Sequence, residues 1–199
     1  MYIEAIIVGL IIGAARNGRL SNFFEVHFRG WALSILAFVL FLIPYLMRLM
    51  ESTSGSLQIF PYIAMVLCAI IVLLNFEKLG MKILFVGVLL NLVVMGLNDF
   101  KMPIDTIKMA ALGFTSFIES LKDGYVVNYM SMEGAHPISK LLGKVIALPD
   151  FYPLKKVLSL GDFIISLGII VIIQYEMLLS SVKSRGSMVR FSYKTKFRR

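Results

Sequence analysis

Five stretches of this chain are almost wholly apolar, at residues 2–15, 31–47, 59–76, 83–97 and 158–179, and none has Lys or Arg near its middle. A helix needs roughly 20 apolar residues, each rising 1.5 Å, to cross a hydrocarbon core about 30 Å thick. A basic residue at the centre of such a span costs about 2.5–3.5 kcal/mol on insertion. The pattern predicts an all-α integral membrane protein with about five transmembrane helices. Composition supports it, with 58% of residues hydrophobic and 16% charged. Soluble domains sit near 45–50% and about 25%, and disordered chains lack this aliphatic content. The single cysteine, Cys68, excludes a disulfide framework and a multi-cysteine metal site.

Charge order sets the expected orientation. A signal peptide carries its positive residues before the apolar stretch. Here Glu4 lies at the start of the first segment, and Arg16 and Arg19 follow it. Short cytoplasmic loops collect Lys and Arg, and basic residues cluster after the first, third and fifth segments. They are Arg16, Arg19 and Arg29, then Lys78 and Lys82, then the tail. The expectation is one membrane domain (1–182), with the N-terminus outside a bacterial cytoplasmic membrane and residues 183–199 as a basic cytoplasmic tail. The net charge of +8 then resides mainly in that tail. Arg185, Arg190, Lys194, Lys196, Arg198 and Arg199 are its candidate contacts to anionic lipid headgroups, worth about 1 kcal/mol per basic residue. A nucleic-acid role for the tail is disfavoured, because no nucleic-acid-binding fold accompanies it.

Two stretches read as lying on the membrane. Leu20, Phe23, Phe24, Phe28 and Trp31 share one helical face, the pattern of an interfacial amphipathic helix. In the outer loop, 98–157, the residues Ile104, Ile107, Ala111, Phe114, Ile118 and Leu121 recur at spacings of three and four. That spacing predicts one helix of about 18 residues. Pro103 suits its first position, and Asp105 suits its positively polarised first turn. From residue 124 to residue 153 no period is evident. This apolar stretch is expected to cover the mouth of the bundle rather than float in water.

Several residues invite chemical readings. Gly9 and Gly13 form a small-xxx-small pattern, and Gly161 and Gly168 are seven apart; both suit close helix packing, within the chain or in a homodimer. Ser159 and Asp162 resemble a capping box; alternatively, Asp162 is an interfacial carboxylate able to bind a cation or relay a proton. Asn98, Asp99, Lys101, Asp105, His136, Asp150 and Asp162 all fall on the expected outer face and form a candidate polar cluster. The plain alternative for them is helix capping and surface ion pairing. Glu176 lies about 27 Å along the last span, which places it near the cytoplasmic interface. His27 and His136 fall on opposite sides, so they make no metal motif. No nucleophile elbow, phosphate loop or zinc signature occurs, and no cofactor is implied.

The chain resembles a family through Gly9-x-x-x-Gly13 followed by Asn17-Gly18-Arg19-Leu20, then Leu97-Asn98 with Lys101-Met102-Pro103, and Ser159-Leu160-Gly161-Asp162 before the last span. These motifs are similar to those of the domain-of-unknown-function family 5317, small polytopic membrane proteins of Firmicutes. That pattern has Arg before Met-Pro, where this chain has Lys101. The resemblance covers about residues 1–180. It implies the architecture and carries no activity.

With no catalytic set in view, the sequence favours a non-enzymatic component that binds a partner, a lipid or a small molecule. Its expected partners are membrane lipids, other membrane subunits or a second copy. The alternative is a small enzyme or transporter with its polar site on the extracytoplasmic face.

Overall fold

The computed structural model describes residues 1–24, 28–49, 57–149, 152 and 154–187, with side chains except at 23–24, 48–49 and 179–187. In chain order, α1 (Tyr2–Ala15), α2 (Leu20–Phe24), α3 (Trp31–Leu49), α4 (Ile59–Leu74) and α5 (Leu79–Gly96) lead into a cap. The cap holds β1 (Met102–Ile104), α6 (Thr106–Ala111), α7 (Thr115–Lys122), β2 (Tyr129–Ser131), α8 (Ser139–Leu142), β3 (Ile146–Ala147) and β4 (Val157–Leu158). The chain then runs into α9 (Leu160–Ser187). The protein is thus mostly helical, with short strands in the cap that an all-α reading omits. Residues 79–96 and 160–178 form helices long and apolar enough to cross a membrane, while α1, α3 and α4 hold shorter apolar stretches.

The long helices form a row in the order α1, α9, α5, α4, α3. Glycine makes the α5–α9 contact close. A Cβ on Gly87 would sit 2.7 Å from Gly161 O and Ile165 N, and one on Gly168 would sit 2.8 Å from Leu84 N. Backbone therefore meets backbone, with Gly80 and Gly87 on one helix and Gly161 and Gly168 on the other. Because Gly80 faces Gly168 while Gly87 faces Gly161, the two helices run antiparallel. Gly9 and Gly13 pack against Ile173 and Met177 of the same chain, and here the helices run parallel.

The outward faces of these helices are apolar. Ile3, Ile11, Trp31, Phe38 and Leu79 are each more than half exposed. Soluble monomers rarely expose contiguous apolar area on this scale. At the end opposite the cap, polar groups tie the connections together. Arg16 donates to Gln174 Oε1 at 2.9 Å, and Asn75 exchanges bonds with the backbone of Arg29, at 3.0 Å and 2.9 Å. Lys78 Nζ pairs with Glu176 at 2.5 Å.

The single helix expected from Pro103 onward is broken. Gly113 has φ +88, and Phe114 N–H bonds back to Met109 O at 3.0 Å, a left-handed helix stop that divides the stretch into α6 and α7. Pro103 does not open a helix. It lies in β1, which pairs in parallel with β2. Asp105 instead caps α6, accepting from the N–H groups of Ile107 and Lys108 at 3.1 Å and 3.0 Å. Of the amphipathic stretch expected from Leu20 to Trp31, Leu20–Phe24 is helix and Trp31 opens α3; residues 28–30 between them are not helical, and residues 25–27 lie outside the described set.

Candidate functional site

The first turn of α9 builds the site. Ser159 Oγ accepts from Asp162 N–H at 2.9 Å, and Asp162 Oδ2 accepts from Ser159 N–H at 3.2 Å. This is the reciprocal bond pair of a capping box. Asp162 does more than cap. Its Oδ1 accepts from Tyr2 Oη of α1 at 2.7 Å and from Asn91 Nδ2 of α5 at 3.1 Å. Its Oδ2 accepts from Lys144 Nζ at 2.6 Å. Ser159 Oγ also donates to Asn91 Oδ1 at 2.8 Å. Three helices and the cap therefore converge on one carboxylate that is 5% exposed.

Backbone pairing delivers Lys144. Its N–H donates to Pro103 O at 2.9 Å, and its carbonyl accepts from Asp105 N–H at 3.0 Å. The lysine thus lies against β1 as a short third strand and hangs its ammonium over the start of α9. The Tyr129 ring lies 5.7 Å from Nζ. Burial works against the lysine charge, but Tyr129 and the Asp162 carboxylate outweigh it and hold the ammonium above the usual lysine range.

Two cavities meet at this pair. A groove of 710 Å³ runs along the row of helices and is lined almost wholly by apolar side chains, among them Ile6, Phe41, Cys68, Val88 and Ile169 from five different helices. Near the cap its wall includes Asn91, Asn128, Tyr129 and Lys144. A second cavity of 320 Å³ opens beside Tyr2, Phe117, Lys155 and Lys156. Tyr129 and Lys144 line both. Lys156 Nζ is held by Glu4 at 2.5 Å.

The candidate cluster read from the sequence is divided among separate tasks. Asn98 Nδ2 donates to Val94 O at 2.6 Å and to Ser139 Oγ at 2.8 Å, while its Oδ1 accepts from the backbone N–H of His136 at 2.8 Å. It pins α8 to the end of α5. Asp105 caps α6 and lies 3.5 Å from Lys108 Nζ. Asp99 is exposed and Lys101 half-buried, and neither has a contact with Asp162. Asp150 lies outside the described residues, as do His27 and Arg190, Lys194, Lys196, Arg198 and Arg199 of the tail. Arg185 falls within α9, but its side chain is outside the described set. Among the described residues no three His, Cys, Asp or Glu side chains group closely enough to hold a metal ion.

Sequence reasoning found Asp162 and Ser159 because a cap is a local pattern. It missed Lys144, Tyr2 and Asn91 as partners, since nothing local marks them. An amide in the middle of an apolar segment was the one signal for Asn91, because a buried amide requires a partner.

The match of residues 25–174 to the model for the Family of unknown function (DUF5317) shows that the chain belongs to that family. No curated protein and no solved structure matches it.

Proposed function

We propose that this chain is a polytopic membrane protein that holds a lipid or another small apolar molecule in its groove, rather than an enzyme. The observation that carries the reading is the 710 Å³ apolar groove, which falls within the roughly 300–1,000 Å³ typical of small-molecule sites. In this reading α1, α3, α4, α5 and α9 are all spans, the N-terminus and cap lie outside, and the basic tail lies in the cytoplasm of a bacterium. The apolar outward faces support the spans. Arg16, Arg29 and Lys78 gather at the end opposite the cap, which supports the orientation. At 14 residues, α1 covers about 21 Å, so local thinning of the bilayer accommodates it.

Purification of the full chain in mild detergent, followed by mass spectrometry of bound lipid, tests the reading. A stoichiometric lipid, lost when Ala64→Trp fills the groove, is the expected result. A folded protein that carries and binds no apolar molecule overturns it. Reporter fusions near residue 128 should read as extracytoplasmic.

One observation favours a second reading, a transporter or enzyme. The Lys144–Asp162 pair stands between the groove and the cap-side cavity, where a buried charge pair could move a proton or a polar head. Transport or turnover of a lipid by the isolated chain would select it.

A further inference from the structure

The cap-side cavity of 320 Å³ is a second chamber that meets the groove at Tyr129 and Lys144. The charged side chains lining it are Lys144, Lys155, Lys156 and Asp162, three ammoniums against one carboxylate. That carboxylate has no acceptor capacity left. Its Oδ1 accepts from Tyr2 and Asn91, and its Oδ2 accepts from Lys144 and the Ser159 N–H, which fills the roughly four lone-pair sites of the group. Donors, in contrast, are in surplus. An ammonium has three N–H groups; Lys144 gives one to Asp162 at 2.6 Å, and Lys156 gives one to Glu4 at 2.5 Å. The lysines are also within reach of a ligand. Lys155 is exposed, and the side chains of Lys156 and Lys144 are 35% and 16% exposed.

Strand pairing holds these lysines in place. Ile146 pairs with Leu158 and Ala147 with Val157, and Leu148 N–H donates to Lys156 O at 3.0 Å. Lys144 lies just before β3, and Lys155 and Lys156 lie just before β4. In an antiparallel ladder they therefore stand at its two ends, about 13 Å apart along the strands, yet all three line the same cavity. Phe114, Phe117 and Val157 give that cavity an apolar wall. We propose that it is a second binding site, distinct from the groove, for a phosphate ester with an apolar part. The phosphate lies among Lys144, Lys155 and Lys156, and the apolar part lies against Phe117 and Val157. A phosphate brings negative charge and several acceptor oxygens to a chamber rich in donors, and lysine binds it as a point charge. A cation would meet a saturated carboxylate and an excess of like charge. The volume is at the small end of the roughly 300–1,000 Å³ of ligand sites, so the cavity takes the phosphate and the segment next to it rather than a whole lipid.

The test is calorimetry on the full chain in an uncharged maltoside detergent, with dioctanoyl phosphatidic acid, hexyl phosphate, inorganic phosphate and dioctanoylglycerol as probes. Phosphatidic acid and hexyl phosphate bind, and the tighter of the two tells whether a lipid headgroup or a water-soluble ester is the source of the phosphate. Dioctanoylglycerol, which keeps the chains and loses the phosphate, binds at least about tenfold more weakly than phosphatidic acid, and added salt weakens the phosphate probes. Lys155→Gln and Lys156→Gln each weaken those probes severalfold. Lys140→Gln, which removes an exposed charge of the cap outside the cavity, leaves them unchanged, as does Ala64→Trp in the groove. Equal binding of dioctanoylglycerol and phosphatidic acid overturns the phosphate site and leaves the groove reading standing. Equal binding of inorganic phosphate and hexyl phosphate overturns the apolar part. Loss on Lys140→Gln as large as on Lys155→Gln overturns the placement in the cavity, and loss on Ala64→Trp assigns the phosphate probes to the groove instead. Failure of every phosphate probe to bind a folded chain overturns the proposal outright. The comparison of phosphatidic acid with dioctanoylglycerol needs no variant, so it decides the matter even if Lys156→Gln, which strips Glu4 of its lysine, does not fold.

Discussion

Helix α9 carries two buried carboxylates, and the protein treats them differently. Asp162 and Glu176 are 5% and 4% exposed, and each faces a lysine. Asp162 is held by a neighbouring backbone N–H, a tyrosine, an amide and Lys144. Glu176 faces Lys78 at 2.5 Å, and that ammonium also lies 4.8 Å from the Phe28 ring. The first carboxylate sits where four segments meet and fixes them. The second neutralises one long, flexible side chain near the end of the bundle. Burial alone does not say what a charge does; the number and stiffness of its partners do.

The comparison can be broken at several points. Asp162→Ala should have the largest effect. It strands the Tyr2 hydroxyl, the Asn91 amide and the Lys144 ammonium together, and removing one partner of a buried ion pair costs about 3–5 kcal/mol. Thermal unfolding in detergent reads this; a loss under about 1 kcal/mol would remove Asp162 from the centre of the fold. Glu176→Ala should cost less, about 1–2 kcal/mol, because Lys78 can extend toward the interface. Equal losses at the two sites would erase the distinction. Ser159→Ala keeps the carboxylate but loses the cap, for about 1 kcal/mol. Replacing Lys78 and Glu176 together by Met should be nearly neutral, within about 1 kcal/mol, since no backbone depends on that pair.

Titration supplies the smallest and most specific effect. The Lys144 pKa is raised in the folded protein, so its share of stability is complete below the ordinary lysine value of 10.5. That share is lost as pH climbs through the folded value. Melting temperatures should therefore hold from pH 7 to 10 and decline above. In Lys144→Arg, whose guanidinium keeps its proton, the alkaline decline should be reduced; an unchanged decline would mean that other groups govern it.

The sequence makes the apolar helices legible because burial in lipid or protein demands long uninterrupted runs, and α9 announces its start through Ser159 and Asp162. The cap is less readable. A three-residue strand such as β1 has no periodicity to detect, and Pro103 at its centre reads equally as the beginning of a helix. Gly113 lies within the apparent helical period, and only its positive φ divides α6 from α7. Lys144 is one lysine among several in the cap until the backbone of β1 draws it across to α9. The candidate site was therefore half visible: the carboxylate was marked by its neighbours in sequence, and its cation was chosen by tertiary structure.

The glycines between α5 and α9 have a mechanical consequence. Gly80 and Gly87 are seven residues apart, as are Gly161 and Gly168, and each pair meets opposing backbone. A slip of one helical turn would drive side chains into the positions the glycines keep empty. The two helices behave as a toothed rail with a single engaged position. Asp162 and Glu176 stand two such intervals apart on that rail, roughly 21 Å, and sliding cannot change the distance from Asp162 to Asn91 of α5 or from Glu176 to Lys78, the residue just before α5. Relative motion of α5 and α9 between the cap and the far end of the bundle is therefore tilt or rotation of the pair rather than sliding.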